Sequence, residues 1–436
     1  MKSLSLASGL AVAAVAWAFP AAAQHDHHAA EEEAPATEEF LDIHPVVPVY
    51  RLPGALGPYP LEREASGTAW QPDRSRHGGL HAATGGWSLM GHAIVNGAYD
   101  RQEGPRGGEK AFVSGMAMGN ARRTIAGRHT VQLRAMLSPD LLMGPRGFPL
   151  HLAAGETADG VGLLRDRQHP HDLFSELSAS YSLRLSGNSS LFVYAGLPGA
   201  PAFGPPAFMH RMSAMDSPEA PISHHWLDST HVAFGTVTAG ATLGRVRVEA
   251  SRFNGREPDQ NRWDIESGPL DSTAVRIAAN PSRELSLQAS WTRLVSPEQL
   301  TPNENETRWS ASAIYIREVG DGGWWSTTLA WGRRDVDHES LDAFTLESAV
   351  GLGAWTLFGR AERVESNELL AVGGHHGPVF TVAKVSAGAI RDFRVADQVR
   401  FGVGGLYSLN FVPRGLEDSY GGDPGGAMLF VRLRIG

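Results

Sequence analysis

From about residue 85 onward, apolar and polar residues alternate with a period of two. In 173–185 the odd positions include Leu173, Leu177, Ala179, Tyr181, Leu183 and Leu185, and the even ones Glu176, Ser178, Ser180, Ser182 and Arg184. A pleated strand whose faces meet two different environments produces that pattern. The same alternation recurs in 244–251, 285–292 and 401–411. It predicts about sixteen strands, spanning 86–99, 111–121, 127–139, 172–186, 188–197, 229–242, 243–254, 271–280, 283–295, 307–318, 323–335, 341–353, 354–365, 378–392, 397–411 and 424–434.

The connections alternate as well. Short ones such as Gly187-Asn188, 240–244, 280–282, 320–323 and 351–353 are rich in turn formers,. Between them lie longer stretches at 100–110, 140–171, 198–228, 255–270, 296–306, 336–340, 366–377 and 412–423. Alternating short turns and long loops, with half-apolar strands, predict an all-β fold: a transmembrane antiparallel up-and-down β-barrel with long extracellular loops. A β-sandwich would use Greek-key connections instead. Trp87, Tyr99, Trp291, Trp309, Trp324, Trp325, Trp331 and Trp355 fall near predicted strand ends, where interfacial girdles or ordinary strand preference would put them,. The chain lacks a terminal aromatic residue, ending Phe430-Val431-Arg432-Leu433-Arg434-Ile435-Gly436.

The first residues refine the picture. Lys2, an apolar run to Phe19 and Ala21-Ala22-Ala23 predict a secretory signal peptide over 1–23,. Residues 24–84 divide into a His- and acid-rich arm and a Pro-rich connector, expected to be a largely disordered periplasmic segment,. The barrel then occupies 85–436. No later stretch reaches the roughly 18 apolar residues of a membrane helix. Absence of cysteine excludes disulfides and thiolate sites, and a net charge of −9 argues against nucleic acid as a partner,. Lysine occurs only at Lys2, Lys110 and Lys384, so arginine carries the positive charge; Arg134, Arg184, Arg245 and Arg247 fall on the polar strand face.

Candidate chemistry collects in the long connections at one predicted end. His169 and His171 close the second. Met209, Met212 and Met215, with His210 beside them, occupy the third, which ends in His224, His225, Asp228 and His231. Imidazole suits zinc, copper and nickel, and thioether suits Cu(I). A spacing of three would place the methionines on one face of a short helical turn. The competing role is structural: methionines filling gaps and histidines bracing a lumen plug. His375 and His376 are secondary candidates, and His25, His27 and His28 form a cluster that could collect metal weakly,. Arg256, Glu257 and Asp259 are candidates for setting ion selectivity at a constriction,. Hydrolysis would need Ser229 with His231 and Asp228, or Ser175 with His171 and Asp172. No G-x-S-x-G elbow is present, and residues i and i+2 on a strand sit about 7 Å apart, so no catalytic residues are assigned,.

The blocks RQHPHDLFSEL, GPPAFMHRMSAM, PISHHWLDSTH and FNGREPDQNRWD resemble an uncharacterised family of proteobacterial outer-membrane proteins that accompanies copper and heavy-metal resistance systems. The resemblance runs from about residue 85 to the end. It implies a barrel in the outer membrane of a Gram-negative bacterium and hints at metal handling. Residues and resemblance together lead to the expectation of a porin-like or metal-binding barrel, with copper or zinc as the ion. Its partners would be outer-membrane lipid, metal ions or small solutes, and periplasmic metal-efflux components. The alternatives are a general channel for small solutes with structural loop histidines, and, less favoured, a lipid hydrolase.

Overall fold

The computed structural model describes residues 53–76, 78–336, 338–371 and 376–436. The predicted signal peptide, His25, His27, His28, the rest of the arm up to residue 52, and His375 lie outside them. Nineteen strands are present among the described residues: β1 (Leu80–Thr84), β2 (Trp87–Gln102), β3 (Gly108–Ile125), β4 (His129–Leu137), β5 (Phe148–Thr157), β6 (Leu163–Gln168), β7 (Phe174–Arg184), β8 (Ser189–Gly196), β9 (Thr236–Leu243), β10 (Val246–Phe253), β11 (Ser272–Ala279), β12 (Leu285–Val295), β13 (Asn305–Val319), β14 (Gly323–Val336), β15 (Glu339–Leu352), β16 (Trp355–Ser366), β17 (Phe380–Ala396), β18 (Val399–Phe411) and β19 (Gly425–Ile435).

Sixteen of them close a barrel. Neighbours pair antiparallel in chain order from β2 to β4 and β7 to β19, and β19 returns to β2 in the register Phe430↔Ala98. These sixteen correspond one to one with the predicted strands. Only β1, a short hairpin partner of β2, and the β5–β6 pair inside the second long loop were not foreseen. The predicted strand beginning at 229 starts instead at Thr236, because 229–231 forms a 3₁₀ turn.

Closure turns the usual inside-outside rule around. On β10, Val246 and Val248 are exposed while Arg247, Glu249 and Ser251 are buried. Leu191, Val237, Ile277, Leu329, Leu346, Leu357, Val403 and Leu429 likewise face out. Such a continuous apolar exterior would be a liability in water and fits hydrocarbon. No described helix is long and apolar enough to cross a membrane. Trp309 and Trp355 stand half-exposed on this exterior, whereas Trp324 packs against a lumenal cluster. Phe430 also faces inward, so it cannot present a lipid-facing aromatic from the last strand.

The lumen is filled from both ends. Residues 53–76, expected to belong to a largely disordered segment, fold against the inner wall of β7–β11. Leu56, Tyr59 and Trp70 cluster with Phe192 and Ala278. Wall side chains hold the backbone: Ser182 and Ser190 donate to the Ala55 and Leu56 carbonyls, Arg247 to Thr68, and Asn280 to Gln71. A segment with little apolar periodicity is thus ordered by polar groups that only a barrel interior supplies. Tyr59 sits at the centre, its hydroxyl donating to Glu64 and accepting from Arg247. Tyr59→Phe removes both bonds and should weaken the segment's docking by about 1–3 kcal/mol; faster proteolysis within 53–76 would register it, with the barrel's strand content unchanged.

From the other end come two loops. In 138–173 the β5–β6 hairpin places Phe148 flat against Phe112, ring centroids 4.0 Å apart, and Leu152 into a second cluster. In 197–235 a short helix, α1 (His224–Leu227), buries Trp226 and Leu227 against β14 and β15, and the Trp226 indole donates to the Leu341 carbonyl. The third long loop folds into the barrel, and the second joins it.

Candidate functional site

Five histidines from these two loops meet in one chamber. The rings of His169 and His171 are 5.9 Å apart, His171 and His231 5.1 Å, His224 and His231 5.2 Å, and His169 and His225 6.1 Å. Buried anchors orient them. His171 Nδ1 bonds the Asp140 carboxylate at 2.8 Å, His224 Nδ1 bonds Asp228 at 2.8 Å, and His231 Nδ1 bonds the Asp228 carbonyl at 2.7 Å. A carboxylate or carbonyl at one ring nitrogen fixes the ring and leaves the other nitrogen for a ligand. The Nε2 atoms of His171 and His231 hydrogen-bond each other at 3.1 Å, the contact an ion between them would replace. Asp228 is held in turn by Arg211, whose guanidinium also grips Glu347 on the barrel wall.

Burial sets the charge of these groups. It drives His225 and His231 well below the ordinary imidazole value, helped by neighbouring imidazoles, and lowers His169 to about 4 despite the Glu156 carboxylate 3.2 Å away. Three of the five are therefore neutral at pH 7, the protonation state a metal requires. His171 is the exception. Burial pulls it down, but the bond and charge of Asp140 outweigh this and raise it.

His225 turns away from its neighbours. Its Nδ1 lies 3.4 Å from Glu257, on the loop 254–271, and both are close to Glu298 on the loop 296–304. The ring fits because Gly155 lies beneath it at φ +122°; a Cβ there would stand 2.4 Å from the His225 Cε1. Glu298 was not singled out from the sequence. A lone glutamate in a polar loop carries no pattern, and only closure of the barrel brings it to His225.

The methionines form a separate group. Only Phe208–His210 is helical, a single 3₁₀ turn, so the expected helical face does not exist. Met209, Met212 and Met215 nevertheless line one cavity with His210, Met116 and His92, reaching Arg434 and Gly436 at the barrel's C-terminal end. Met212 Sδ accepts from the Arg76 amide, which uses part of its lone-pair capacity. A second cavity, lined by Met116, Met209, Met215 and Phe208, leads on to Asp140 and His171. Met116, Met209 and Met215 thus line both cavities, with imidazoles of His92 and His210 on one and of His171 on the other.

Other candidates are placed differently. His376 bonds Glu304 at 2.9 Å, outside the chamber. Of the three selectivity candidates, Glu257 enters the chamber. Arg256 is tied to Asp271 in a half-exposed pair, and Asp259 sits with Asp264 and Glu266 in the same loop. The hydrolase arrangement is not assembled: Ser229 accepts from Arg308, Ser175 donates to the Asp172 carbonyl, and Asp228 serves Arg211 and His224.

Comparison with known proteins agrees with the architecture. No protein-family profile and no curated protein matches the chain. Among solved structures, it is similar to Salmonella typhi OmpF in complex with daunomycin, with a TM-score of 0.52 and 10% identity over 82% of this chain and all of that one. It is also similar to the high-pH structure of Pseudomonas putida OprB, with a TM-score of 0.51 and 10% identity over 80% and 94%. The fold is that of an outer-membrane porin. At such identity the likeness speaks for the barrel and leaves the chamber to be argued from its own residues.

Proposed function

We propose that this chain is a porin-like barrel of a Gram-negative outer membrane, its N-terminal arm on the periplasmic side, that handles metal ions, copper foremost, inside a plugged lumen. The observation that carries this reading is the pair His171–His231. Each ring is anchored at Nδ1, and the two Nε2 atoms are already 3.1 Å apart in a buried chamber. His231 supplies a neutral imidazole, a copper and zinc ligand; His171, whose proton Asp140 favours, would release it on binding, and the adjoining methionines add the soft donors that Cu(I) prefers,. A second reading is a general channel for small solutes in which these histidines brace the loops; the same anchoring bonds support it.

Copper titration of the purified mature barrel separates the two. Tight, stoichiometric uptake is expected, reduced at least about 10-fold by His171→Ala with His231→Ala. Replacing Met209, His210, Met212 and Met215 by Ala should weaken Cu(I) retention without loss of the barrel. Copper affinity indifferent to both sets of substitutions, with bilayer ion selectivity equally indifferent, would leave the small-solute channel.

A further inference from the structure

We infer that His225, Glu257 and Glu298 form a binding site for one divalent cation of oxygen-preferring or borderline character, such as zinc or manganese. One ligand atom from each already lies within 4.8 Å of the others. They come from three different loops, so nothing in the local chain geometry forces them together. The site does not depend on the copper reading, since it shares neither the His171–His231 pair nor the methionines.

What points to a cation is the hydrogen bonding. His225 is only 6% exposed, and its Nδ1 makes no hydrogen bond; neither oxygen of Glu257 makes one, nor does Glu298 Oε1. Four buried polar atoms without a hydrogen bond, gathered in one place, are costly unless something satisfies them,. Neighbouring acids do not share this condition. Glu156 is bonded by Arg262, Glu306 by Arg308 and Arg334, and Glu368 by Arg334. Arg334 comes no nearer to Glu298 than 3.8 Å. The local guanidinium groups are thus committed elsewhere, leaving two carboxylates facing each other.

The electrostatics agree with that geometry. Burial, and then the charges of Glu298 and Glu156, push Glu257 well above the usual carboxylate range, and Glu298 rises to about 7 through burial and the Glu368 charge. A divalent ion would neutralise both acids and take the lone pair of a neutral imidazole. Carboxylate and imidazole donors select such ions over Cu(I), for which thioether is the better ligand. A cavity lined by Val161, Leu163, Arg165, Thr301 and Glu368 reaches Glu298 and provides an approach.

The test is calorimetric titration of the chelator-stripped mature barrel with Zn²⁺ and, separately, Mn²⁺ near pH 7.5, beside Glu257→Gln and Glu298→Gln. Glutamine keeps the shape and removes the repelling charge, so both variants should fold at least as well as the parent. One ion per barrel is expected, bound with release of protons, and weakened at least about 10-fold by either substitution. The His171→Ala, His231→Ala protein should retain it, so loss of copper binding there would leave this site standing. Absence of stoichiometric uptake of either ion, or uptake unchanged in both Gln variants, overturns the assignment and leaves a glutamic acid pair that shares protons.

Discussion

Alanine at Arg211 is expected to release the 197–235 loop from the wall and turn an occluded barrel into a conducting one. Arg211 is 1% exposed. Its Nε and Nη2 bond the two Glu347 oxygens at 2.8 and 2.7 Å, and its Nη1 bonds Asp228 at 2.6 Å and the Pro206 carbonyl at 2.7 Å. Truncation leaves two buried carboxylates short of a countercharge. Glu347 keeps Arg360 at 3.3 Å, and Asp228 keeps His224. Breaking a buried pair by removing one partner costs about 3–5 kcal/mol, equivalent to a shift of roughly 10²- to 4 × 10³-fold toward the undocked loop at about 1.4 kcal/mol per decade. The barrel itself should persist, because its backbone ladder and apolar exterior do not involve Arg211 and water can enter the lumen. Single-channel conductance should rise, and protease should cut within 197–235, while strand content stays constant. Conductance and cleavage equal to the parent's would show that Arg211 does not hold the plug. Lysine at 211 should fall between, since an ammonium cannot bond both Glu347 oxygens in the forked geometry.

That experiment marks the boundary of what the chain reveals about itself. The sixteen barrel strands were legible because each contrasts lipid with lumen every second residue, as Arg247 between Val246 and Val248 does. The material inside the barrel was not. Residues 53–76 carry only Leu56, Tyr59 and Trp70 as apolar anchors of their cluster, and their order comes from wall serines, arginines and Asn280 more than 100 positions away. The β5–β6 hairpin escaped notice because its alternation is broken: Leu152, Glu156 and Asp166 take positive φ, and the register shifts twice between Pro149 and Thr157. The histidines stood out by type and place, and they do converge. The way they divide did not stand out. His224 and His231 share Asp228, His171 takes Asp140 from the far end of its own loop, and His225 leaves for Glu257 on another loop.

The chamber's response to pH should expose two opposing sets of charges. His169, His225 and His231 have folded pKa values below their ordinary ones, His169 at about 4. The stability they contribute is present above about pH 6.5 and lost as pH falls toward the folded values. Glu257, Glu298 at about 7, and Asp172, lifted by burial to about 6 against its Arg262 partner, act in the opposite sense. Their folded values are raised, so the closed chamber is favoured when they are protonated and penalised as pH rises through those values. The displacements of His169 to about 4 and of Glu298 to about 7 are each worth on the order of 3 kcal/mol, with opposite sign,. The two sets act in opposite directions between pH 4.5 and 7, so the metal-free parent should open less on acidification than a protein in which only the imidazoles titrate,. His171, raised by the bond and charge of Asp140, favours the closed chamber in acid and loses that contribution as pH rises above its ordinary value, so it does not oppose closure at pH 4.5,. Replacing Glu257 and Glu298 together by Gln removes most of the carboxylate set and leaves the imidazoles unopposed. The double variant should then be more tightly closed than the parent at pH 7 and loosen more than the parent on acidification to pH 4.5, seen as faster amide exchange in 197–235 and rising conductance. A double variant as insensitive to acid as the parent would mean that the imidazoles take up protons without opening the chamber.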